Sequence, residues 1–311
     1  MEKDSKILVT GCQGMTGGAV VKELNKQGYK NIIRITRADC DLTNQQDVKE
    51  LFKKECPEYV FHIAAKVGGS KVEGDQSGKY IYENLMMQCN VIEMARLFNI
   101  KKLLFCSTIY VYPKTAQSPI KETELLKGDL FDISIGYSIA KLTGIYMTKI
   151  YSKQYGCDFI SVIPPNIYGP GDNFNLQTGR VISALIHKFN DAKINKFSSV
   201  TILGTGKSIR EFIYVDDLAK GMLYLMNTYS DPEPINIGTG IGVKITDLVE
   251  IIKRVTCYTG NIIWETDSEG NERRLDSTKI NKLGWQAEVN LFEGIQRTYN
   301  WFINNNQFAR K

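Results

Sequence analysis

Short apolar runs of strand length alternate with longer segments of helical periodicity through the first half of the chain. This alternation predicts parallel β-strands joined by helices that cover both faces of the sheet. The pattern therefore indicates an α/β fold with a doubly wound parallel sheet of the Rossmann type. The predicted strands are 7–10, 32–36, 59–64, 103–107 and 159–164, and the predicted helices are 15–27, 44–55, 80–98 and 137–155.

The pattern becomes less regular in the last third of the chain, where the apolar runs are shorter. From this change we predict a Rossmann domain over residues 1–165, with contributions from about 211–240. A smaller, discontinuous α/β cap over residues 166–311 is expected to lie over the carboxyl edge of the sheet. Its predicted helices are 181–190, 217–227, 246–255 and 291–305, and its predicted strands are 200–203, 211–215 and 261–265.

Composition limits the class of protein and of partner. The 311 residues are 43% hydrophobic and 23% charged, which is ordinary for a globular chain. The net charge of +5 suits an anionic small molecule, but it is too dispersed to predict nucleic-acid binding. No apolar run predicts a signal segment or a bilayer span, and the seven cysteines form no CxxC pair. We therefore expect a cytoplasmic protein with free thiols, no metal site and no membrane partner.

A glycine-rich turn joins the first predicted strand to the first predicted helix. Gly11, Gly14 and Gly17 form a GxxGxxG pattern. The first glycine permits a tight turn, the second lets the backbone approach a pyrophosphate, and the third lets the helix pack close to the sheet. Because the N–H groups of a helix N-terminus attract phosphate, this turn predicts a dinucleotide site.

The end of the second predicted strand bears on which dinucleotide binds. Arg37 stands there, with Arg34 nearby, and no carboxylate occurs before Asp39. A guanidinium suits a 2′-phosphate, whereas a carboxylate would repel it, so NADPH (NADP) is favoured over NADH. Asp41 lies where it could accept the adenine amino group. The residues predicted to hold the cofactor are Gly11, Gly14, Met15, Gly17, Arg37, Asp41, Leu42, Ala64, Ala65, Lys66, Lys141 and Pro164.

A tyrosine and a lysine four positions apart begin the helix at 137–155. Tyr137 and Lys141 share one helix face, so the lysine charge can assist the phenol in giving a proton to a developing alkoxide. Thr108, at the end of the preceding strand, can donate a hydrogen bond to the same ketone oxygen. Ser107 competes for that role, but alternation along the strand would direct it to the opposite face. We therefore predict catalysis of ketone reduction by Thr108, Tyr137 and Lys141.

These motifs resemble the extended short-chain dehydrogenase/reductases of the NAD-dependent epimerase/dehydratase family, and most closely the GDP-L-fucose synthases, which epimerise and then reduce a GDP-4-keto sugar. The resemblance extends over nearly the whole chain, and it implies a homodimer formed through a bundle of the two long helices. It also implies a GDP-sugar pocket that includes Asn166, Val181, Lys188, Arg210 and Arg273. The segments that carry it are 64–69, 112–114, 124–128, 137–141, 164–170, 172–174, 210–212 and 216–217.

The chain departs from that group where epimerisation needs an acid and a base. The group uses a cysteine two residues after the catalytic hydroxyl and a histidine before a Val-Ile helix, and these positions are Tyr110 and Arg180 here. Arginine does not deprotonate in proteins, and tyrosine is a weak substitute for a thiol. We expect Cys106 to be a buried structural thiol and His187 to have a surface role. Leu203 replaces a tryptophan of the group, which suggests altered packing against the substrate.

The sequence therefore predicts an NADPH-dependent C4 reductase of a GDP-linked 4-keto sugar, a 6-deoxyhexose or a heptose for surface polysaccharides, without C3/C5 epimerase activity. A bifunctional synthase and an NAD-retaining C4 epimerase remain alternatives. A dehydratase is disfavoured, because such enzymes place carboxylates directly after the catalytic threonine, and Ile109 and Tyr110 stand there in this chain. A non-catalytic sensor is disfavoured as well, because it would not need the complete catalytic set. The residues predicted to contact the sugar nucleotide are Ser107, Tyr110, Asn166, Arg180, Val181, Lys188, Arg210 and Arg273.

Overall fold

The computed structural model describes residues 1–265 and 270–305, with the side chains of residues 70–72 left aside. The strands are β1 Lys6–Thr10, β2 Asn31–Arg34, β3 Tyr59–His62, β4 Lys102–Cys106, β5 Phe159–Ile163, β6 Asn166–Tyr168, β7 Ser199–Ile202, β8 Ile209–Tyr214, β9 Ile235–Asn236, β10 Gly242–Lys244, β11 Asn261–Trp264 and β12 Glu272–Arg273. The helices are α1 Met15–Lys26, α2 Gln45–Glu55, α3 Ser70–Asp75, α4 Ser77–Leu97, α5 Ile135–Tyr155, α6 Val181–Ile194, α7 Val215–Thr228, α8 Ile245–Thr256, α9 Thr278–Lys282 and α10 Leu291–Asn304.

The main sheet has the strand order β2-β1-β3-β4-β5-β9, and every neighbouring pair is parallel. The chain moves outward from β1 to β2 and then returns to the other side of β1 to form β3. In such sheets, ligands bind beyond the carboxyl ends of the strands where the winding direction changes. The predicted doubly wound α/β fold is confirmed, and the place for a ligand follows from the strand order.

Two apolar cores lie on the two faces of this sheet. Along β1, Ile7 and Val9 pack into one core and Leu8 into the other, because successive side chains point to opposite faces. Helices α1 and α7 cover the first face, and α2, α4 and α5 cover the second. β1 is buried after its first residue, and β4 and β5 are buried throughout. Burial on both faces explains why these strands appear in the sequence as continuous apolar runs.

A third apolar core belongs to the last third of the chain, between α6, α8, α10 and short strands. β8 pairs with β6, β10 and β12, and β7 pairs with β11. Glu211 on β8 is fully buried and accepts the N–H groups of Gly240 at 2.8 Å and Leu275 at 2.7 Å. These bonds join three separate segments next to the carboxyl edge of the main sheet. Within the described residues, no helix is long and apolar enough to cross a membrane.

Candidate active site

A cavity of about 450 Å³ opens at the carboxyl ends of β1, β3, β4 and β5. The predicted catalytic residues Thr108, Tyr137 and Lys141 all line it. The structure therefore brings together segments that lie far apart in the sequence, at the position that the strand order favours. The predicted cofactor residues that line it are Gly11, Gly14, Met15, Gly17, Arg37, Asp41, Leu42, Ala64, Ala65, Lys66, Lys141 and Pro164.

The turn from β1 into α1 has room for backbone but not for side chains. Gly11 has φ +71°, and a Cβ atom there would lie 2.9 Å from the Cα atom of Ala64. A Cβ atom on Gly17 would lie 2.2 Å from the carbonyl oxygen of Gly11. Gly14 precedes α1 without a side-chain cap, so the N–H groups of the first turn face the cavity edge without a competing side chain. This bare helix terminus fits the pyrophosphate of a dinucleotide.

The backbone after β3 forms another wall of the cavity and is fixed by two buried polar side chains. The Thr10 hydroxyl accepts the N–H groups of Ile63 and Ala64, both at 3.1 Å. Asn84 on α4 accepts the N–H of Lys66 at 2.9 Å and donates to its carbonyl oxygen at 3.0 Å. Asn84 therefore positions the loop that contains three predicted cofactor residues. Asn84 is not among the residues predicted from the sequence, although a polar residue on the buried face of a long helix is an available signal.

The adenosine end of the predicted cofactor site is a hydrogen-bonded turn after β2. Asp39 accepts the N–H and the hydroxyl of Thr36 at 2.8 and 2.7 Å, and these bonds lower the pKa of Asp39. Arg37 is exposed within this turn and lines the cavity, whereas Arg34 does not. Asp41 accepts the N–H and hydroxyl of Thr43, which lowers the pKa of the Asp41 carboxyl. The roles of Arg37 and Asp41 toward the cofactor stay predictions.

Lys141 is buried two turns into α5. Its ammonium group donates to the carbonyl oxygen of Cys106 at 2.8 Å and lies 4.7 Å from the centre of the Phe105 ring. Burial lowers the pKa of Lys141 to about 8, so the amine remains mostly charged at neutral pH. The Ser107 hydroxyl lies 3.5 Å from the carbonyl oxygen of Lys141, and Ser107 and Thr108 both line the cavity.

Tyr137 is buried beside three ionisable groups. Burial raises the pKa of its phenol, and the guanidinium of Arg180, which lines the same cavity, counters this rise. Glu73 and Cys106 also act on the phenol, and both raise its pKa. Glu73 is itself buried and accepts the N–H of Gly68 at 3.2 Å. Like Asn84, Glu73 was missed from the sequence, since only the fold brings α3 next to Tyr137.

Of the predicted substrate residues, only Ser107 and Arg180 line this cavity. Asn166 donates to the carbonyl oxygen of Glu211 at 3.0 Å, and the ammonium of Lys188 donates to the carbonyl oxygen of Thr201. The remaining four are outside the cavity lining as well: Tyr110, Val181, Arg210 and Arg273. The substrate roles of these six residues stay predictions.

Arg273 has an evident structural function. Its buried guanidinium donates to the carbonyl oxygens of Pro113 at 2.6 Å, Tyr112 at 3.2 Å and Ile109 at 3.3 Å. Burial, followed by the charge of Arg210, lowers the pKa of Arg273 to about 10. These bonds fix the loop that directly follows Thr108. Arg273 therefore holds the backbone behind a predicted catalytic hydroxyl.

The thiol and the two imidazoles that could replace an epimerase acid or base are all engaged or buried. Burial raises the pKa of Cys106 to about 11, in agreement with the expected structural thiol. His62 is fully buried, which lowers the pKa of its imidazole to about 3. The predicted surface role of His187 is wrong. Its ring is only 12% exposed, contacts the Phe174 carbonyl oxygen at 2.7 Å and Asp191 at 3.1 Å, and does not line the cavity.

Comparison with known proteins agrees with this geometry. The model of the NAD dependent epimerase/dehydratase family matches residues 7–238. GDP-L-fucose synthase 1 of Arabidopsis thaliana is 42% identical over 306 residues, covering 98% of this chain and 95% of that protein. The GDP-mannoheptose C4 reductase of Campylobacter jejuni with NADP bound has a TM-score of 0.88 at 36% identity, covering 97% and 99% of the two chains. The GDP-L-fucose synthetase of Naegleria fowleri bound to NADP has a TM-score of 0.92 at 30% identity, covering 100% and 96%. The chain thus belongs to the NAD dependent epimerase/dehydratase family.

Proposed function

We propose that this protein is an NADPH-dependent C4 reductase of a GDP-4-keto sugar, a 6-deoxyhexose or a heptose, and that it lacks C3/C5 epimerase activity. One observation carries the proposal: a complete reductase set lines the cavity, while Tyr110 and Arg180 occupy the two positions where the resembling synthases hold an acid and a base. The sugar would be destined for surface polysaccharides. The free cysteines favour the cytoplasm as the location of the protein.

The general class of reaction follows from the family of the chain and from its relatives. The protein is an NADP(H)-dependent oxidoreductase that acts on a nucleotide-sugar ketone. When bound, NADPH supplies the hydride that reduces the ketone. The glycine turn at the start of α1, the loop fixed by Asn84 and the exposed guanidinium of Arg37 would hold it. The GDP moiety is supported by the related synthases and C4 reductases.

The side chains around the cavity then carry out the proton transfer. Thr108 donates a hydrogen bond to the ketone oxygen and stabilises the charge that grows on it. Tyr137 gives its phenolic proton to that oxygen, so a carbinol forms and a phenolate remains. Lys141 is charged near neutral pH and rigidly held by the Cys106 carbonyl, and it supplies a fixed positive charge for cofactor hydroxyls and the phenolate.

Epimerisation next to the ketone would need two further groups that exchange a carbon-bound proton. The chain has two histidines. His62 is buried with its Nδ1 atom 2.9 Å from the Thr10 hydroxyl, and His187 lies outside the cavity. Cys106 lines the cavity, but its thiol stays protonated because burial raises its pKa. Arg180 cannot act as a base. These features support a reductase that receives its sugar already in the final C3 and C5 configuration.

A bifunctional synthase remains the second candidate, because of one specific feature. Glu73 is a buried carboxyl group beside Tyr137 and Arg180, and burial raises its pKa. A carboxyl with a raised pKa is a possible proton acceptor. Against this role, Glu73 does not line the cavity, and one of its oxygens is bonded to the Gly68 N–H.

Incubation of the purified protein with NADPH and GDP-4-keto-6-deoxy-mannose tests the proposal. We expect oxidation of NADPH and a product reduced at C4 that retains its C3 and C5 configuration by NMR. The same sugar linked to UDP serves as the control and should react far more slowly. A product inverted at C3 and C5 would show the bifunctional enzyme. Absence of turnover would remove the 6-deoxyhexose and leave a GDP-4-keto heptose as the substrate to test.

The homodimer implied by the resemblance is also proposed, through α4 and α5. On α5, Ile139, Thr143, Tyr146 and Ile150 follow helical spacing along one face, and both isoleucines are exposed. Tyr82 on the adjacent α4 is exposed as well. Pairing of two copies would cover this apolar stripe. Light scattering should give twice the mass of one chain, and the mass of a single chain would contradict the dimer.

A further inference from the structure

Arg180 lies immediately before α6 and lines the same cavity as Tyr137. Its guanidinium interacts with the phenol and also with Tyr110, Glu73 and Asp172. Two of these neighbours are carboxyl groups, so the arginine has negative partners as well as the tyrosine. The arginine is thus an integral part of the site, although the GDP-L-fucose synthases that the chain resembles have a histidine at this position.

The segment before Arg180 is tightly folded and limits where the guanidinium can go. Asp172 accepts the N–H of Asn173 at 2.7 Å and the hydroxyl of Ser183 at 2.6 Å. A Cβ atom on Gly179 would lie 2.5 Å from the carbonyl oxygens of both Asn173 and Asn175. The backbone therefore turns sharply just before Arg180. Because the backbone before Arg180 is fixed, less conformational entropy is lost when its long side chain is held against one partner.

Lys141, a second cation that lines the cavity near Tyr137, is hydrogen-bonded to a backbone carbonyl group. The Lys141 ammonium donates to the Cys106 carbonyl oxygen at 2.8 Å. Arg180 lines the same cavity as Tyr137 and interacts with its phenol, and its planar guanidinium can donate while keeping its charge at every working pH. A permanent positive charge therefore lies in the cavity in which the phenolate forms.

We propose that Arg180 is a further residue of the reductase proton-transfer step, whose guanidinium stabilises the Tyr137 phenolate. In this step, the phenol O–H bond breaks and a new O–H bond forms on the alkoxide oxygen. NADPH, when bound, would supply the hydride to carbon C4, and the alkoxide is the oxygen attached to that carbon. The negative charge left on the Tyr137 oxygen is met by Arg180, and solvent later returns a proton. The proposal rests on ketone reduction as the proposed function, and it does not depend on the absence of epimerase activity.

The groups that face Tyr137 predict the sign of the effect. Burial raises the pKa of the phenol, Glu73 on α3 adds to the rise, as does Cys106 on β4 once its thiol ionises, and Arg180 opposes them. An opposite charge at this range lowers a pKa by about 1–3 units. Removal of the guanidinium should therefore raise the pKa of Tyr137 by about 1–3 units. The phenol would then be a weaker acid and a slower proton donor.

Carbon-13 NMR of protein labelled at tyrosine Cζ measures this titration without any sugar substrate. The NADP complex is used throughout, and the Tyr137 resonance is assigned by its loss in Tyr137→Phe. In Arg180→Met, we expect the titration midpoint to rise by about 1–3 pH units, and Arg180→Lys should restore part of the shift. Arg254→Met is the matched control, since Arg254 lies over the Phe292 ring, away from the cavity, and should leave the midpoint unchanged.

The proposal is overturned if the midpoints of native protein and Arg180→Met agree. It is equally overturned if Arg180→Lys, which keeps a cation at this position, leaves the midpoint as high as Arg180→Met does. Arg180→Gln carries the same test if Arg180→Met does not fold. The titration contains no keto sugar. Its result can therefore be interpreted even if the protein shows no reductase activity.

Discussion

Tyr137→Phe is expected to bind NADPH as tightly as the native protein and to lose about 10²–10⁴-fold in kcat. The phenyl ring keeps the buried shape of the side chain but has no proton to give to the alkoxide. Because the cofactor is predicted to be held mainly by backbone around Gly11 and by the loop after β3, its binding should not need the hydroxyl group. Fluorescence titration with NADPH and steady-state kinetics measure the two quantities separately.

Tyr155→Phe is the control for this loss. Tyr155 ends the same helix and is half exposed, with its ring against Tyr151. Removal of its hydroxyl should leave kcat within about twofold, since surface substitutions change little. Full activity of Tyr137→Phe would mean that another group delivers the proton, and the assignment of the reductase site would be wrong.

Arg273→Met should destabilise the protein by about 2–4 kcal/mol, because three carbonyl oxygens of the loop after Thr108 lose their buried donor. We expect a lower kcat as well, since this loop carries the backbone next to the Thr108 hydroxyl, which is predicted to be catalytic. Urea denaturation gives the free energy of unfolding. If Arg273 instead acts mainly on the substrate, as the resemblance implies, KM rises while the free energy of unfolding stays at the native value.

The adjacent Arg274→Met is the matched control for Arg273→Met. The guanidinium of Arg274 is partly exposed and pairs with Glu272 at 2.9 Å. An exposed ion pair contributes about 0–1 kcal/mol, so this variant should stay close to native stability. Equal destabilisation of the two variants would contradict the structural role assigned to Arg273.

The main sheet could be predicted from the sequence because its strands are buried on both faces. β1, β4 and β5 are continuous apolar runs, and α1 and α2 follow a helical period. The missed strands β6, β9, β10 and β12 have only two or three residues each. So short a segment shows no hydrophobic period, and its pairing depends on partners that are distant in the chain.

The same distinction applies to the site. The cofactor turn and the pair Tyr137 and Lys141 are local motifs, and the structure brings them into one cavity. The contacts of Arg273 could not be predicted, because its partners lie about 160 residues earlier and meet it only in the folded chain. Glu73 and Asn84 belong to no motif at all. Their relation to the cavity follows from the packing of α3 and α4 against the loop after β3.

Deuterium exchange without reduction tests the central claim most directly. The protein is incubated in deuterated water with NADP and GDP-4-keto-6-deoxy-mannose, and the sugar is examined by NMR, with a sample lacking protein as the control. NADP cannot reduce the ketone, so any exchange catalysed by the protein reports only proton transfer at the carbons beside it. We predict no deuterium at C3 or C5 beyond the control, in a time sufficient for complete reduction when NADPH is present. Catalysed exchange at either carbon would contradict the account and show that an epimerase acid and base remain in this site.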